Sequence, residues 1–588
     1  MSANANPTSQ PTIPAAIFEG YYIQMVMPDE KQRAQEIVDS VLGTGWRLMA
    51  IRDTNTDFEV TMVAGGVEST ADILTIKEAW ENTYRLRSTP GLVNAEPLFG
   101  VPVVPGRGSA AVPADFSAEV GFNWTPPDIP ESNDALWSLK QMRIFEAWAS
   151  AFPAPGKLPG EGVIVGHPDT GYRRHPEIIG NLLAEQGHDF VDNDNDAQDG
   201  MQSGTLLFPG HGTGTASVII SPKDSQGNYP SGKAVSGIAP GAKLIPCRVA
   251  PTVVLLSPTS LATAIEFVTD QGAHVISMSM GTGFFNQRLL AAVLYSQKRG
   301  VIVCAAAGNY VGYVVWPAAY EEVIAVAACN ARRDVWWASS HGSAVDVTAP
   351  GESVWRADVT QQNGQDVYDV QRGSGTSYAV AAVAGIAALW LSKHGRDHLV
   401  QRYGAEKIPF IFNHILRTSC EQVPAWFPGQ YGAGLVNAEK VLAAPLPNDV
   451  DFVVGPTAFA LNKNAPLDSG NMETFVHLFE PVLNAGNEKA LAVEDHLLAR
   501  LRIKLAELLG TNEGELTSRL KEVGQELAFH LAANPDLYKN FAAALSSEVT
   551  DPSALTTVEM VTPAHMEAVR NLLPVKGASE ALMLKTKR

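Results

Sequence analysis

Between residues 163 and 391, short apolar runs alternate with segments of helical periodicity, and that alternation leaves the chain few architectures. The runs at 163–166, 243–249, 274–280, 301–307 and 323–328 are rich in Val, Ile and Ala and too short to be buried helices. Strands buried on both faces read this way, whereas a strand with one wet face would alternate apolar and polar residues. Between them, 261–270 and 289–298 carry the spacing of amphipathic helices. Parallel neighbours need a long crossover, so strand, helix and strand in repetition predict a parallel sheet with helices on both faces. The segment 345–351 reads as one more strand and turn. The predicted fold class is α/β.

In open α/β sheets, chemistry gathers at the carboxyl ends of strands. Asp169-Thr170-Gly171 follows the 163–166 run. His211-Gly212-Thr213-Gly214-Thr215 follows Pro209-Gly210 and opens a small-residue helix start, and Gly375-Thr376-Ser377-Tyr378-Ala379 heads an Ala/Val-rich helical stretch, 377–391. A serine hydroxyl is a weak nucleophile at neutral pH and needs a base within reach, itself oriented by a third group. Each fragment alone also fits an ordinary turn or loop. Together they supply acid, base and nucleophile in the order Asp, His, Ser, one of the three chain orders known for such a triad. A fourth fragment, 301–309, is a buried-strand pattern ending in the amide of Asn309.

On these residues the chain resembles the subtilisin-like serine peptidases, the subtilases, over 131–446. The resemblance implies a serine endopeptidase that forms an acyl-enzyme, with Ser377 as nucleophile, His211 as base and Asp169 as the orienting acid. Asn309 and the Ser377 backbone N–H would donate to the oxyanion. It also implies that a protein or peptide substrate lies between Ser277-Met278-Ser279-Met280-Gly281 and Ala306-Ala307-Gly308-Asn309, and that no metal or organic cofactor enters the chemistry. Three departures from the family pattern remove no catalytic atom. Tyr378 stands where Met is common, Gly214 where many members carry a second His, and Ala381-Ala382 where Pro-His often precedes Val-Ala-Gly. Ala381 removes an expected kink, and Tyr378 makes a bulkier wall beside the nucleophile.

The flanks have their own patterns. A Pro/Ser/Asn-rich arm, 1–19, is expected to be disordered, and 20–100 reads as strand, helix, two strands, helix and strand, a ferredoxin-like order. Subtilase propeptides resemble this unit, so it is expected to chaperone folding and inhibit the site; the alternative is a permanently attached accessory domain. Residues 101–130, rich in Pro, Gly and Ala, form the linker. Beyond 447 the resemblance stops. Leu497, Leu501, Leu505 and Leu508, then Leu516, Leu520, Val523, Leu527 and Leu531, predict paired amphipathic helices in a mainly helical region that packs on the catalytic domain or docks a regulatory protein.

A net charge of −19 argues against nucleic acid and anionic membrane as partners. The first 20 residues lack the basic and apolar segments of a signal peptide, and no stretch is expected to span a bilayer, so the expected location is the cytoplasm. Cys247, Cys304, Cys329 and Cys420 read as reduced core thiols. Asp192, Asp194 and Asp196 are candidates for a structural calcium, although Ala197 stands where an EF-hand requires Gly and no Glu closes the loop. His167, His175 and His341 read as structural. The competing functional reading is a latent subtilase scaffold that senses or holds a partner.

Overall fold

The computed structural model describes residues 129–448 apart from 154, 203–206, 224, 226–228, 254, 256–257, 284, 311–312 and 427–430. Outside that span it describes 17–25, 31–43, 46–49, 60–65, 76–89, 92–100, 475, 479, 494–546 apart from 513 and 534, and 563–586 apart from 576–577.

In the N-terminal unit, β1 (Ile17–Met25), β2 (Arg47–Met49), β3 (Val60–Gly65) and β4 (Leu92–Gly100) pair in the order β2-β3-β1-β4, with helices Lys31–Leu42 and Ile76–Arg87 between them. All three pairings are antiparallel. This is the expected ferredoxin-like arrangement. β1 starts inside the predicted arm, because β4 runs on to Gly100 and gives Ile17 and Phe18 a partner edge. The linker lies outside the described residues up to 128; its last residues already belong to a 3-10 turn, Pro130–Asn133, with Ile129 and Ser132 buried.

The central sheet is built from β5 (Ile164–Asp169), β6 (His188–Asp189), β7 (Lys243–Arg248), β8 (Val275–Met278), β9 (Ile302–Ala306), β10 (Ile324–Cys329) and β11 (Val347–Pro350). Its seven strands stand in the order β11-β10-β9-β8-β5-β7-β6, and every pairing is parallel. β8 to β11 are buried along their whole length, which is why they read as unbroken apolar runs. From β5 the chain fills one side of the sheet with β6 and β7 and the other with β8 to β11. The order therefore reverses at β5, the position at which open α/β sheets place their sites, and Asp169 stands at its carboxyl end.

Helix Thr376–His394 packs across β8, β9 and β10 and is buried from Thr376 to Ser392. Among the described residues this one helix is long and apolar enough to cross a membrane, contrary to the sequence expectation. A helix apolar all round can equally be the centre of a core, and 94% of this one's most apolar 18-residue window is buried. It runs unbroken through Ala381, where a proline would have bent it.

Two features were not foreseen. β12 (Val354–Gln362) and β13 (Gln365–Gly373) form an antiparallel hairpin closed by Asn363-Gly364, both at positive φ, 51° and 76°. The C-terminal region holds five helices among the described residues, not two: Glu494–Leu508, Leu516–Ala533, Pro535–Ser546, Pro563–Val575 and Glu580–Thr586. The predicted stripe residues from Leu501 to Leu531 are buried, as amphipathic packing requires; the Leu497 side chain lies outside the described residues.

These helices touch both other parts of the chain. Trp80 meets Phe529 with ring centroids 5.8 Å apart, and Tyr84 Oη donates to Glu526 Oε2 at 2.8 Å. On the catalytic side, Tyr538 lies 6.2 Å from Tyr313.

Candidate active site

Asp169 ends β5 and is fully buried. Its Oδ1 accepts His211 Nδ1–H at 2.7 Å and the Thr170 N–H at 2.7 Å. Burial pushes the carboxyl pKa up, but the charge and hydrogen bond of His211 outweigh it and hold the group below the usual carboxylate range. Asp169 is thus an anion that fixes His211 with Nδ1 protonated and Nε2 turned outward.

Helix His211–Ile220 approaches the end of β5 more closely than a side chain would permit. A Cβ on Gly212 would stand 2.1 Å from Gly171 O, so the Gly after His211 is a condition of the contact. Buried Asp199 ties the two fragments from behind: its Oδ2 accepts Thr170 Oγ1–H at 2.9 Å and the Gly210 N–H at 2.8 Å. Sequence reading passed Asp199 over, because nothing in its local pattern marks it.

Ser377 lies in the first turn of helix Thr376–His394, where backbone N–H groups have no partner within the helix. Its carbonyl accepts Ser279 Oγ–H at 3.1 Å. The ring of Tyr378, the next residue, stands 6.4 Å from that of His211, so the helices that begin at His211 and Thr376 are brought together. Asn309 follows β9. Its Oδ1 accepts from Thr376 N at 3.0 Å and Thr376 Oγ1 at 2.8 Å. With the amide oxygen occupied, Nδ2 is the free end. A Cβ placed on Gly375 would lie 3.6 Å from Ser377 Oγ and 3.7 Å from Asn309 Nδ2, so the two groups flank one small space. That space suits a carbonyl carbon under attack beside a donor for its oxygen.

The subtilase family model matches residues 160–434. Thermitase of Thermoactinomyces vulgaris is 33% identical over 276 residues, 47% of this chain and 88% of that protein. The chain belongs to the subtilase family. Subtilisin Savinase of Lederbergia lenta is 32% identical over 283 residues, 48% of this chain and 91% of that one. Fervidolysin of Fervidobacterium pennivorans, a solved structure, has the same fold, with a TM-score of 0.50 at 22% identity over 76% of this chain and 66% of that chain. Like its relatives, this subtilase is a serine endopeptidase acting on protein or peptide.

Of the expected substrate walls, Ser277 to Gly281 are buried, as are Ala306 and Ala307, and only Gly308 and Asn309 are half-buried. Ser277 and Met278 lie inside β8, paired with Cys304 and Ala305 of β9; Ser279, Met280 and Gly281 continue past the strand end. The backbone edge at Gly281 is already used, since its N–H donates to Val253 O at 3.0 Å and its carbonyl accepts from Leu255 N at 2.8 Å. On the opposite side, Ala306 ends β9, Ala307 N donates to Val326 O, and Gly308 turns with φ +114°. Between the walls stands Val315, which sequence reading missed: its methyls lie 2.9 Å from a Cβ on Gly281 and 3.0 Å from one on Gly308.

The calcium candidates are not brought together. Asp192 pairs with Arg248 Nη1 at 2.5 Å, Asp194 Oδ1 accepts the Asp196 N–H at 2.8 Å, and Asp196 accepts from Gln198 Nε2 at 2.8 Å. Among the described residues, no three His, Cys, Asp or Glu side chains are grouped to hold a metal ion. His175 caps a short helix through the Glu177 N–H, and His341 Nδ1 lies 3.4 Å from Ser339 O. His167 is buried beside the Asp169 carboxylate.

Proposed function

We propose that Ser377 Oγ attacks the scissile carbonyl while His211 Nε2 takes its proton, and that His211 returns the proton to the leaving amine. Water, activated by the same base, then frees the acyl group from Ser377. Asp169 holds His211 in the required tautomer and stabilises the imidazolium. Asn309 Nδ2 and the Ser377 N–H steady the oxyanion. No metal or organic cofactor takes part. The observation that carries this reading is the meeting of Asn309 Nδ2 and Ser377 Oγ on one small space, beside a base already fixed at 2.7 Å to a buried carboxylate. Fluorophosphonate labelling tests it: label is expected on the wild type and lost in Ser377→Ala, and retained label in that variant would refute it.

Substrate backbone is expected along Ser279–Gly281 and Ala307–Asn309, with Val315 narrowing the space between them in favour of a small residue before the scissile bond. The N-terminal unit acts as an inhibitor of the propeptide type, and the C-terminal helices retain it. Support comes from Tyr84–Glu526 and Trp80–Phe529, which join the N-terminal helix to the C-terminal region independently of the linker. Tyr84→Phe with Trp80→Ala is expected to raise basal activity. An intact single chain in a fully active preparation would exclude obligatory removal of the unit. The four unpaired cysteines fit the cytoplasm as the place of action.

A second reading, the latent scaffold, is favoured by one observation: Gly281 spends its backbone edge on Val253 and Leu255 rather than leaving it to a substrate strand. Absence of labelling in the wild type under every activating condition would select it.

A further inference from the structure

Residues two apart on a strand share a face, so His167 points the same way as Asp169. Residues four apart on a helix share a face, so Thr215 lies under His211. The strand pair and the helix pair meet in a closed cluster: Asp169 and Thr215 are fully buried, and His167 is 2% exposed. His167 Nε2 is 3.0 Å from Thr215 Oγ1, and Thr215 Oγ1 is 3.2 Å from Asp169 Oδ2. The direct separation of His167 Nε2 and Asp169 Oδ2, 3.7 Å, is too long for a hydrogen bond.

Thr215 has one hydroxyl proton and three oxygen acceptors around it, Asp169 Oδ2 at 3.2 Å, His211 O at 3.2 Å and Gly212 O at 3.3 Å, while His167 Nε2 at 3.0 Å donates to Oγ1 or accepts from it according to its tautomer. A threonine in a helix commonly gives that proton to a carbonyl of the preceding turn. To reach the carboxylate instead, the proton has to be turned away from those carbonyls. A donor directed at Oγ1 from the sheet side does so, and His167 is so placed. We propose that His167 is a positioning residue for the triad: its Nε2–H, given to Thr215 Oγ1, directs the Thr215 hydroxyl onto Asp169 Oδ2 and so holds the plane of the carboxylate that orients His211.

Asp169 then accepts His211 and Thr170 on one oxygen and Thr215 on the other. Such a carboxylate cannot swing. The groups whose charges act on His167 are Asp169 on its own strand and His211 on the facing helix; burial is the larger influence and holds its pKa below 6.5, the ordinary value, which keeps the ring neutral. The inference rests on the triad assigned above, and it gives a role to a histidine first read as structural.

The test uses the full chain with a peptide substrate and compares His167→Leu, Thr215→Val, their double variant and His167→Gln. His167→Leu and Thr215→Val are each expected to lower kcat by about ten-fold with KM little changed, as loss of one hydrogen bond to a charged group implies. The acid limb of the kcat/KM profile should move to higher pH, because a carboxylate with one donor fewer is more negative and holds the His211 proton more tightly. The double variant should be no worse than Thr215→Val, since both act through one hydroxyl. His167→Gln, which keeps an N–H, should recover most of kcat. Folded variants with unchanged kcat and acid limb, or losses that simply add, would overturn the proposal. If His167→Leu fails to fold, Thr215→Val and His167→Gln decide by the same criteria. Failure of the triad itself shows separately, as fluorophosphonate labelling that survives in Ser377→Ala.

Discussion

The anchoring contact of Asn309 and its proposed oxyanion role fall on opposite ends of one amide, and substitutions can separate them. Its Oδ1 accepts from Thr376 N at 3.0 Å and Thr376 Oγ1 at 2.8 Å, while Nδ2 faces the space beside Ser377 Oγ. Asn309→Ala removes both. Two neutral hydrogen bonds at about 0.5 to 1.5 kcal/mol each give a stability loss of about 1 to 3 kcal/mol. Loss of the donor should lower kcat by roughly 10² to 10³, the size one such donor carries in a subtilisin. Asn309→Asp keeps the acceptor for Thr376 and replaces the donor with an oxygen. Its stability should therefore stay within about 1 kcal/mol of wild type, while kcat falls at least as far as in Asn309→Ala, because negative charge now faces a developing anion. Denaturant midpoints and kcat on a chromogenic peptide, measured on both variants, separate the two effects. Asn309→Asp with kcat within about three-fold of wild type would refute the oxyanion role, and equal destabilisation by both substitutions would refute the anchoring role of Oδ1.

Three further expectations follow from the packing. Gly212→Ala places a methyl 2.1 Å from Gly171 O, so the His helix must back away from Asp169; kcat should fall by more than about ten-fold, with a lower melting temperature. Asp346, fully buried, accepts from Ala325 N at 2.8 Å and Arg417 Nη1 at 2.6 Å; Asp346→Ala should cost about 3 kcal/mol by denaturation, and Asp346→Asn, which keeps the Ala325 bond, clearly less. His274 Nδ1 accepts the Ile164 N–H at 3.2 Å, and burial first, then Arg396, lower its pKa from 6.5 to about 4. The folded value lies below the unfolded one, so the stability due to His274 is complete above pH 6.5 and is lost as pH falls to about 4. His274→Gln should flatten the stability profile over that window, and an unaltered acid profile would count against the assignment.

The sheet was legible because its strands have no wet face. β8 to β11 are buried throughout, so each announces itself as an apolar run and each boundary falls within two residues of the expected one. The hairpin β12–β13 was missed for the opposite reason: residues such as Arg356, Asp358, Asp366 and Arg372 keep it from reading as core, although Asn363-Gly364 at its tip is a strong hairpin signal in its own right. The same limit hid three C-terminal helices. Helix Pro535–Ser546, for example, buries Leu537, Phe541, Ala544 and Leu545, but its apolar face is partly alanine and was not read as a stripe.

At the site, legibility followed whether a residue works through its neighbours in sequence or in space. Ser377, His211 and Asn309 sit at helix starts or strand ends with small residues beside them, and those flanks are physical requirements: Gly212 lets the helix reach Gly171, and Gly308 turns the chain where a Cβ would meet Ser340 Oγ at 2.8 Å. Asp199 and Val315 act across 29 and 34 residues of chain, on Thr170 and Gly281 respectively. Their partners lie across the fold, so no local pattern marks them. His167 lies between these cases. Its spacing from Asp169 fixes which face it shares, and the spacing of Thr215 from His211 fixes the opposing face, so the cluster follows from two short periodicities once strand and helix are known to meet. What the sequence lacked was that contact. A lone histidine becomes informative when the fold supplies a hydroxyl with three acceptors and one proton to direct.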